Sequence, residues 1–438
     1  MSLSVIVLAA GKGERMNSKK PKVFHHVGNH PMIYHVLDVA KTLNPKFLSI
    51  ILSKKLTSLK TEINQKYKKV LFAIQQKQLG TADAVNAAFN NKNICQSDVT
   101  LILYADTPLI SNQTLKKCIA KFKSKKMDLC ILSMRPKNAN HSYGRLQMVG
   151  SQLKKIIEKS ELQGDQKKIE FCNSGIMIIK TDLLSKNLKR IDNNNNKKEF
   201  YLTDIVEIMS EANFKVGCEE CGFVETLGVN DKTDLSLVEE EFQIQARKKF
   251  LKQGVTLIDP DTVYFSYDTQ IGKDVVIHPN VYFGPGVSVG NNVILKSFSH
   301  VENSIISNNA TIGPFARTRD HTVIGEDARV GNFVEIKKSK IDKNVKASHL
   351  SYIGDAVIDE NTNIGAGTIT CNYDGITKHK TLIGENCFIG SNTSLIAPIK
   401  IKKNSIIGAG TVIKKDVPIG TTVYRKSELI KKNNKKKK

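Results

Sequence analysis

Two clusters of residues in this 438-residue sequence have types and spacing that could do chemistry. The first is Leu8-Ala9-Ala10-Gly11-Lys12-Gly13-Glu14-Arg15-Met16, with Lys22 shortly after. Glycine-rich backbone after an apolar run can bring N–H groups close to a triphosphate, and Lys12, Arg15 and Lys22 add positive charge. The segment lacks the Gly-Lys-Ser/Thr of a Walker loop and the spaced glycines of a dinucleotide fingerprint. Taken alone it reads equally well as a tight turn. Asp106 follows another apolar run, Val99 to Tyr104, where a carboxylate can hold a cation or cap a turn. The second cluster centres on histidine, the side chain suited to taking a proton near neutral pH. Of ten histidines, His278, His300, His321 and His349 are among those in a repetitive second half. His349 stands out because Ala347-Ser348-His349-Leu350-Ser351-Tyr352-Ile353-Gly354 falls out of phase with the repeat around it.

These residues need elements to hold them. Ser4 to Ala9, Phe47 to Leu52 and Val99 to Tyr104 are short apolar runs that predict strands. Pro31 to Lys41 places Met32, Ile33, Val36, Leu37 and Ala40 at helical spacing. Such alternation predicts a parallel sheet covered by helices, with ligands at the carboxyl ends of the strands. The second half instead repeats aliphatic-glycine pairs, among them Ile271-Gly272, Val289-Gly290, Ile312-Gly313, Ile324-Gly325, Val330-Gly331, Ile383-Gly384, Ile389-Gly390 and Ile407-Gly408. Many are separated by multiples of six residues, the period of a parallel β-helix whose aliphatic residue points inward. Where the phase breaks, between Gly331 and Gly354 and near Asn372, inserted loops are expected. Leu235 to Leu251 predicts a connecting helix. The expected organisation is a first domain over 1–229, a linker helix over 230–251, a β-helix over 252–426 and a basic, disordered tail over 427–438.

Composition narrows the function classes. Hydrophobic residues at 40% and charged residues at 25% are those of a globular chain, which excludes wholesale disorder and collagen-like repeats. No apolar run reaches the roughly 18 residues that cross a bilayer. Met1 to Ala10 has neither a basic flank nor a small-residue cleavage site, and reads as a buried strand and not a signal peptide. Eight cysteines are too sparse for a disulfide scaffold, so a reduced cytoplasm is expected. The formal net charge of +24 points to anionic partners, whether nucleic acid, lipid headgroups or phosphorylated metabolites. With no Trp, 6% aromatics and no nucleic-acid motif, no specific nucleic-acid partner is expected. Cys218-Glu219-Glu220-Cys221 has zinc or redox spacing but no second pair beside it, and reads as a reduced pair on a strand. Cys371 reads as an inert thiol.

Together the motifs carry a resemblance. Leu8 to Met16 followed by Pro21-Lys22 resembles the signature of the sugar-nucleotide pyrophosphorylases. Gln78-Leu79-Gly80-Thr81-Ala82, Tyr104-Ala105-Asp106-Thr107-Pro108-Leu109, Tyr143-Gly144-Arg145, Asn173-Ser174-Gly175 and Gly228-Val229-Asn230 follow in that family's order. With the repeat half, residues 1 to about 426 resemble the bifunctional N-acetylglucosamine-1-phosphate uridylyltransferase / glucosamine-1-phosphate N-acetyltransferase family. The resemblance implies a Rossmann-like, mainly parallel α/β nucleotidyltransferase followed by a left-handed parallel β-helix of hexapeptide repeats. It also implies a homotrimer, Mg²⁺, UTP and acetyl-CoA as co-substrates, and a product that feeds peptidoglycan and lipopolysaccharide precursors.

By the same resemblance Asp106 and Asn230 hold the metal, and Arg15 and Lys22 meet the phosphates. Leu8, Ala9, Ala10, Gly11, Tyr104 and Ala105 line the nucleotide, Gln75, Gly80 and Thr81 read the uracil, and Gly144, Glu158 and Asn173 contact the amino sugar. His349 is the base of acetyl transfer. Arg319, Lys337, Tyr352, Asn363 and Lys378 bind glucosamine-1-phosphate, while Ala366, Asn372, Tyr373, Ser391 and Ala409 line the acetyl-CoA groove. Three departures are visible. Ala105 stands where the family usually has glycine, an added methyl able to crowd the sugar or nucleotide and read as a tuning change, since Asp106 itself is intact. Asp320 replaces a usual proline, putting a carboxylate beside a phosphate-binding arginine. Arg425 and Lys426 stand in for a displaced arginine at the CoA phosphate. Two other readings remain open: a pyrophosphorylase whose β-helix serves only assembly or regulation, and a non-enzymatic basic scaffold.

Overall fold

Leu3–Leu8, Phe47–Ser53 and Val99–Tyr104 become strands sandwiched between helices, which is why they read as mostly apolar runs, interrupted inside only by Ser4, Ser49 and Thr100. The computed structural model describes residues 1–90, 93–136, 143–150 and 152–426, and divides into two units, Met1–Phe242 and Gln243–Lys438. The basic tail expected over 427–438 lies outside the described residues.

In the first unit the main sheet runs Val216–Glu220, Leu129–Met134, Cys172–Lys180, Val99–Tyr104, Leu3–Leu8, Phe47–Ser53, Leu71–Gln75. Only Cys172–Lys180 runs against its neighbours along this order. The hairpin of Arg145–Val149 and Gln152–Ile157 joins it through Arg145 and Cys172. From Leu3–Leu8 the chain passes through the helix Met32–Thr42 to one side, then returns to Val99–Tyr104 on the other. Strand order therefore reverses beside Leu3–Leu8, and a crevice opens at the carboxyl ends of that strand and Val99–Tyr104. Leu8 pairs with Tyr104 there, which sets Ala9 to Gly13 against Ala105-Asp106.

The second unit is a three-sided solenoid of parallel strands. One inward ladder runs Ile277, Leu295, Ile312, Val330, Ala347, Ile364, Ile389 and Ile407, every member buried. The helix Lys232–Lys252 spans the division, and within this unit its last turns close the first coil. The Gln243 side chain exchanges two hydrogen bonds with the backbone of Phe265, and Phe250 packs on the Phe265 ring at 4.6 Å. Such a cap protects the open end of a repeat array.

One expectation is corrected. No loop is inserted between Gly331 and Gly354, where Val330 pairs with Ala347 and Ile336 with Ile353. The phase breaks because these coils are 17 residues long where the hexapeptide rule gives 18. The second break is an insertion. Asn363 pairs with Phe388, and the surplus residues leave the solenoid after Ile369–Cys371 as a loop over 372–380.

Candidate active sites

In the first unit the glycine-rich segment leaves the end of Leu3–Leu8 and turns through Gly13 at φ 68° into a short helical turn, Glu14–Met16. A Cβ at Gly13 would stand 2.8 Å from the Lys22 Cβ, so glycine is what lets these two backbones close. Four polar side chains converge in consequence. Lys22 Nζ lies 2.5 Å from Asp106 Oδ2 and 3.4 Å from Asn230 Oδ1, and Arg15 Nη2 donates to the same Asn230 oxygen at 3.0 Å. The backbone N–H of Val229 donates to the Asp106 carbonyl, fixing the two loops together.

A cavity of about 430 Å³ is lined by this cluster and by Gly11, Gln75, Thr81 and Tyr104. A second, of about 690 Å³, is lined by Gly144, Glu158, Asn173 and Tyr201, and the two share Thr81, Tyr104 and Glu199. Gln75 Nε2 donates to the Gly80 carbonyl and to Asp83, while Gln78 donates to the Ala10 carbonyl across the cavity. Burial raises the Glu158 carboxyl above its ordinary value, opposed by the hydroxyl of Thr203. Burial, with the Asp106 and Glu158 carboxylates, also pushes the Tyr104 hydroxyl up.

Asp106 and Asn230 offer two hard oxygen donors aimed at one point, which the Lys22 ammonium now bridges. That set fits a divalent cation completing its shell with phosphate oxygens and water. Among the described residues no group of three or more His, Cys, Asp or Glu could hold a metal. Cys218 lies on Val216–Glu220 with Cys221 just beyond, both as free thiols, and burial followed by nearby glutamates raises Cys221 to about 12.

Ala105 departs from the expectation. It is fully buried in the core cluster that includes Leu103 and Ile110. Its methyl packs into the sheet and crowds nothing in the cavity. Ala9 is likewise a core side chain, so both residues can offer a ligand only backbone.

In the second unit, short strands and tight corners place the side chains. Lys346–His349 pairs with Arg329–Asn332, which puts His349 directly over Asn332. His349 Nδ1 lies 2.5 Å from Asn332 Oδ1. The same corner column continues through Ala366, Ser391 and Ala409, each two residues past the inward Ile364, Ile389 and Ile407. Just inside it run Gly331, Gly365 and Gly390, where a Cβ would stand 1.9–2.5 Å from the next coil's backbone. Glycine at those three positions is what lets successive coils stack closely beside the column.

Tyr352 lies past the corner turn Leu350-Ser351, on Tyr352–Gly354. At Gly354 a Cβ would lie 2.5 Å from the Tyr352 hydroxyl and 2.8 Å from Asn372 Nδ2, so this glycine lets the two side chains meet. Arg319 and Lys337 are ladder neighbours at the far end of the same face. Arg319 Nε donates to Glu335 Oε1 at 2.7 Å and Nη1 to Asp320 Oδ2 at 2.9 Å. Burial opposes the Arg319 charge, but Glu335 and then Asp320 outweigh it and push the guanidinium pKa up. Lys378, exposed on the inserted loop, is held below the ordinary lysine value by a hydrogen bond to Lys337 and by its charge. Asn372 Nδ2 donates to Asp355 Oδ2 at 2.6 Å.

The structure thus gathers Arg319, Lys337, Tyr352, Asn372 and Lys378 on one face, with His349 at its corner. Asn363 stands on the adjoining face, beside Lys346. Arg425 and Lys426 are exposed at the end of the described chain, and among the described residues no hydrogen bond or ion pair ties them to the site. Sequence reasoning missed Asn332, Asp355 and Glu335. Asn332 carried a signal, since it follows Val330 as His349 follows Ala347, but the shortened coil hides the equivalence.

The fold and its two sites define a two-unit transferase, a nucleotidyltransferase followed by a hexapeptide-repeat acyltransferase. Comparison with known proteins agrees: a nucleotidyl transferase family model matches residues 4–220, a GMPPB C-terminal domain model residues 253–341, and a bacterial transferase hexapeptide model residues 380–415. The chain is 42% identical over 414 residues to the bifunctional protein GlmU of Wolbachia pipientis wMel, covering 94% of each. It is 42% identical to that of Paramagnetospirillum magneticum, over 98% of this chain and 94% of the relative. With Thermosipho melanesiensis GlmU the identity is 41%, over 99% and 97%. The chain belongs to the GlmU family.

Proposed function

We propose that the two sites divide one synthesis between them. The chain acetylates glucosamine-1-phosphate from acetyl-CoA, then transfers uridylyl from UTP to the N-acetylglucosamine-1-phosphate formed, releasing pyrophosphate and giving UDP-N-acetylglucosamine.

For uridylyl transfer the carrying observation is the convergence of Lys22, Arg15, Asp106 and Asn230 beneath the glycine-rich loop. A phosphate oxygen of the sugar attacks the α-phosphorus of UTP. That oxygen is already ionised, so the protein's task is alignment and charge neutralisation. Arg15 and Lys22 neutralise the phosphates, the Gly11 backbone approaches them, Gln75, Gly80 and Thr81 face the uracil, and Gly144, Glu158 and Asn173 hold the sugar. Asp106 and Asn230 would hold Mg²⁺, which supplies Lewis-acid stabilisation of phosphate charge.

For acetyl transfer the carrying observation is the Asn332–His349 bond. An amide oxygen only accepts, so Nδ1 of His349 carries the proton and the Nε2 lone pair faces outward as the base. The substrate amine attacks the thioester carbonyl, His349 takes the amine proton, and the CoA thiolate leaves. Arg319, Lys337 and Lys378 hold the sugar phosphate, Tyr352 and Asn363 the sugar, Asn372 and Tyr373 the acetyl end, and Ala366, Ser391 and Ala409 admit the pantetheine arm. Arg425 and Lys426 supply charge for the CoA phosphate.

We also infer a homotrimer working in a reducing cytoplasm. Phe298, Phe315 and Phe333 stack at 4.8 and 5.1 Å along one corner, each about half exposed. A contiguous apolar ridge of this kind marks a docking face.

Mass spectrometry of a reaction holding glucosamine-1-phosphate, UTP and Mg²⁺, with and without acetyl-CoA, tests the synthesis. UDP-N-acetylglucosamine is expected only with acetyl-CoA. Product appearing only when N-acetylglucosamine-1-phosphate is supplied would reduce the second unit to a scaffold. Asp106→Ala should abolish uridylyl transfer and spare acetylation, and His349→Ala the reverse.

A further inference from the structure

Arg319 and Lys337 are neighbouring cations with side chains 23% and 11% exposed, a placement that demands counter-charge. Glu335 supplies part of it through Arg319 Nε. The rest comes from Asp320, whose Oδ2 lies 2.9 Å from Arg319 Nη1 and 3.8 Å from Lys337 Nζ. One carboxylate oxygen therefore sits where an oxygen of a bound phosphate must sit to meet both cations.

We propose that Asp320 sets the affinity and anion selectivity of this site, by occupying the phosphate's place between Arg319 and Lys337 until the ligand displaces it. This rests on the reading that these two residues hold the phosphate of glucosamine-1-phosphate.

Three features make Asp320 displaceable. Its side chain is 43% exposed, so the carboxylate can swing into water. Its backbone is left-handed at φ 56°, as is that of His321 at φ 63°, a turn that aspartate tolerates without the ion pair. Arg319 keeps Glu335 when Asp320 leaves, and Lys378 stands beside Lys337 to add a third positive charge. A phosphate dianion brings more charge than the carboxylate and wins the exchange. A singly charged carboxylate or sulfate ester gains little by it, so the device favours phosphorylated sugars at the expense of raw affinity.

The test uses Asp320→Asn in the full chain, because asparagine keeps both the shape and the left-handed turn. Acetyl transfer is measured for the KM of glucosamine-1-phosphate and for competitive inhibition by inorganic phosphate, with uridylyl transfer as the folding control. KM and the phosphate inhibition constant should both fall about three- to tenfold, tenfold corresponding to about 1.4 kcal/mol, with kcat nearly unchanged. Asp320→Gly, equally at ease in that turn, should give the same shift. An unchanged or raised KM in both variants, with uridylyl transfer intact, overturns the proposal. Arg319→Ala separates the two layers. If it raises KM while the Asp320 variants do not lower it, only the Asp320 proposal falls. If it leaves KM unchanged, the phosphate binds elsewhere and both readings fall.

Discussion

Replacing Ala105 by glycine distinguishes a residue that touches ligand from one that builds the floor beneath it. The sequence pattern suggests that the Ala105 methyl crowds the nucleotide or sugar, in which case glycine should lower KM at no cost. The structure buries that methyl completely in the core under Val99–Tyr104. Removing it forfeits roughly 0.8 kcal/mol of transfer free energy. Ala105 is not among the left-handed residues, so glycine relieves no strain and adds roughly 0.5–1 kcal/mol of unfolded-state freedom. Ala105→Gly should therefore lose about 1.5 kcal/mol, read as a lower urea midpoint for the first unit's transition. The KM values for UTP and N-acetylglucosamine-1-phosphate should stay within about twofold. A KM drop of threefold or more at unchanged stability would show that the methyl faces the ligand, and the burial argument would be wrong.

Other outcomes follow from the same contacts. Asn332→Ala should slow acetyl transfer by about tenfold or more, as part of a base contribution of roughly 10²–10⁴. Asn332→Asp, which still accepts from Nδ1, should restore most of it; steady-state kcat with uridylyl transfer as control decides this. At Gly175, φ 89°, a Cβ would stand 2.8 Å from the Tyr104 ring. Gly175→Ala should cost about 1–3 kcal/mol of stability and raise the KM for the sugar phosphate, since Tyr104 lines both cavities. His35 is lowered to about 4, chiefly by burial, with its Nε2 hydrogen-bonded to the Val27 carbonyl. The unfolded chain therefore binds the proton first, and stability falls as pH drops from about 6.5 toward 4, by about 2 kcal/mol between pH 7 and pH 5. Urea melts at the two pH values should show that slope reduced in His35→Gln.

How much of this was legible in the sequence depends on the range of the interaction concerned. Val99 to Tyr104 was read to the residue because the strand is buried on both faces, with Thr100 its one interior polar residue and Tyr104 leading straight into the Ala105-Asp106 turn. The crevice was legible too, since alternating strands and helices force a switch point. What could not be read is which way a side chain points once its backbone is placed. Ala105 and Asp106 are adjacent, yet one packs into the core and the other meets Lys22. Both lie in the turn just past Val99–Tyr104, so the turn's backbone geometry decides that, and a motif match does not carry it.

The solenoid makes the same point through its register. A strict six-residue rule finds the inward ladder but treats every departure as extra chain. A coil one residue short also breaks the phase, and its consequence is the opposite of a loop: it keeps Asn332 directly beneath His349. The two kinds of break then serve the site differently. The short coils stack His349, the proposed base, on the Asn332 amide within paired strands. The inserted loop, off the strand ladder, carries Tyr373 and Lys378, the residues proposed to meet ligand. On the proposed reading, the base stands on the strand ladder and the loop's ligand contacts stand off it.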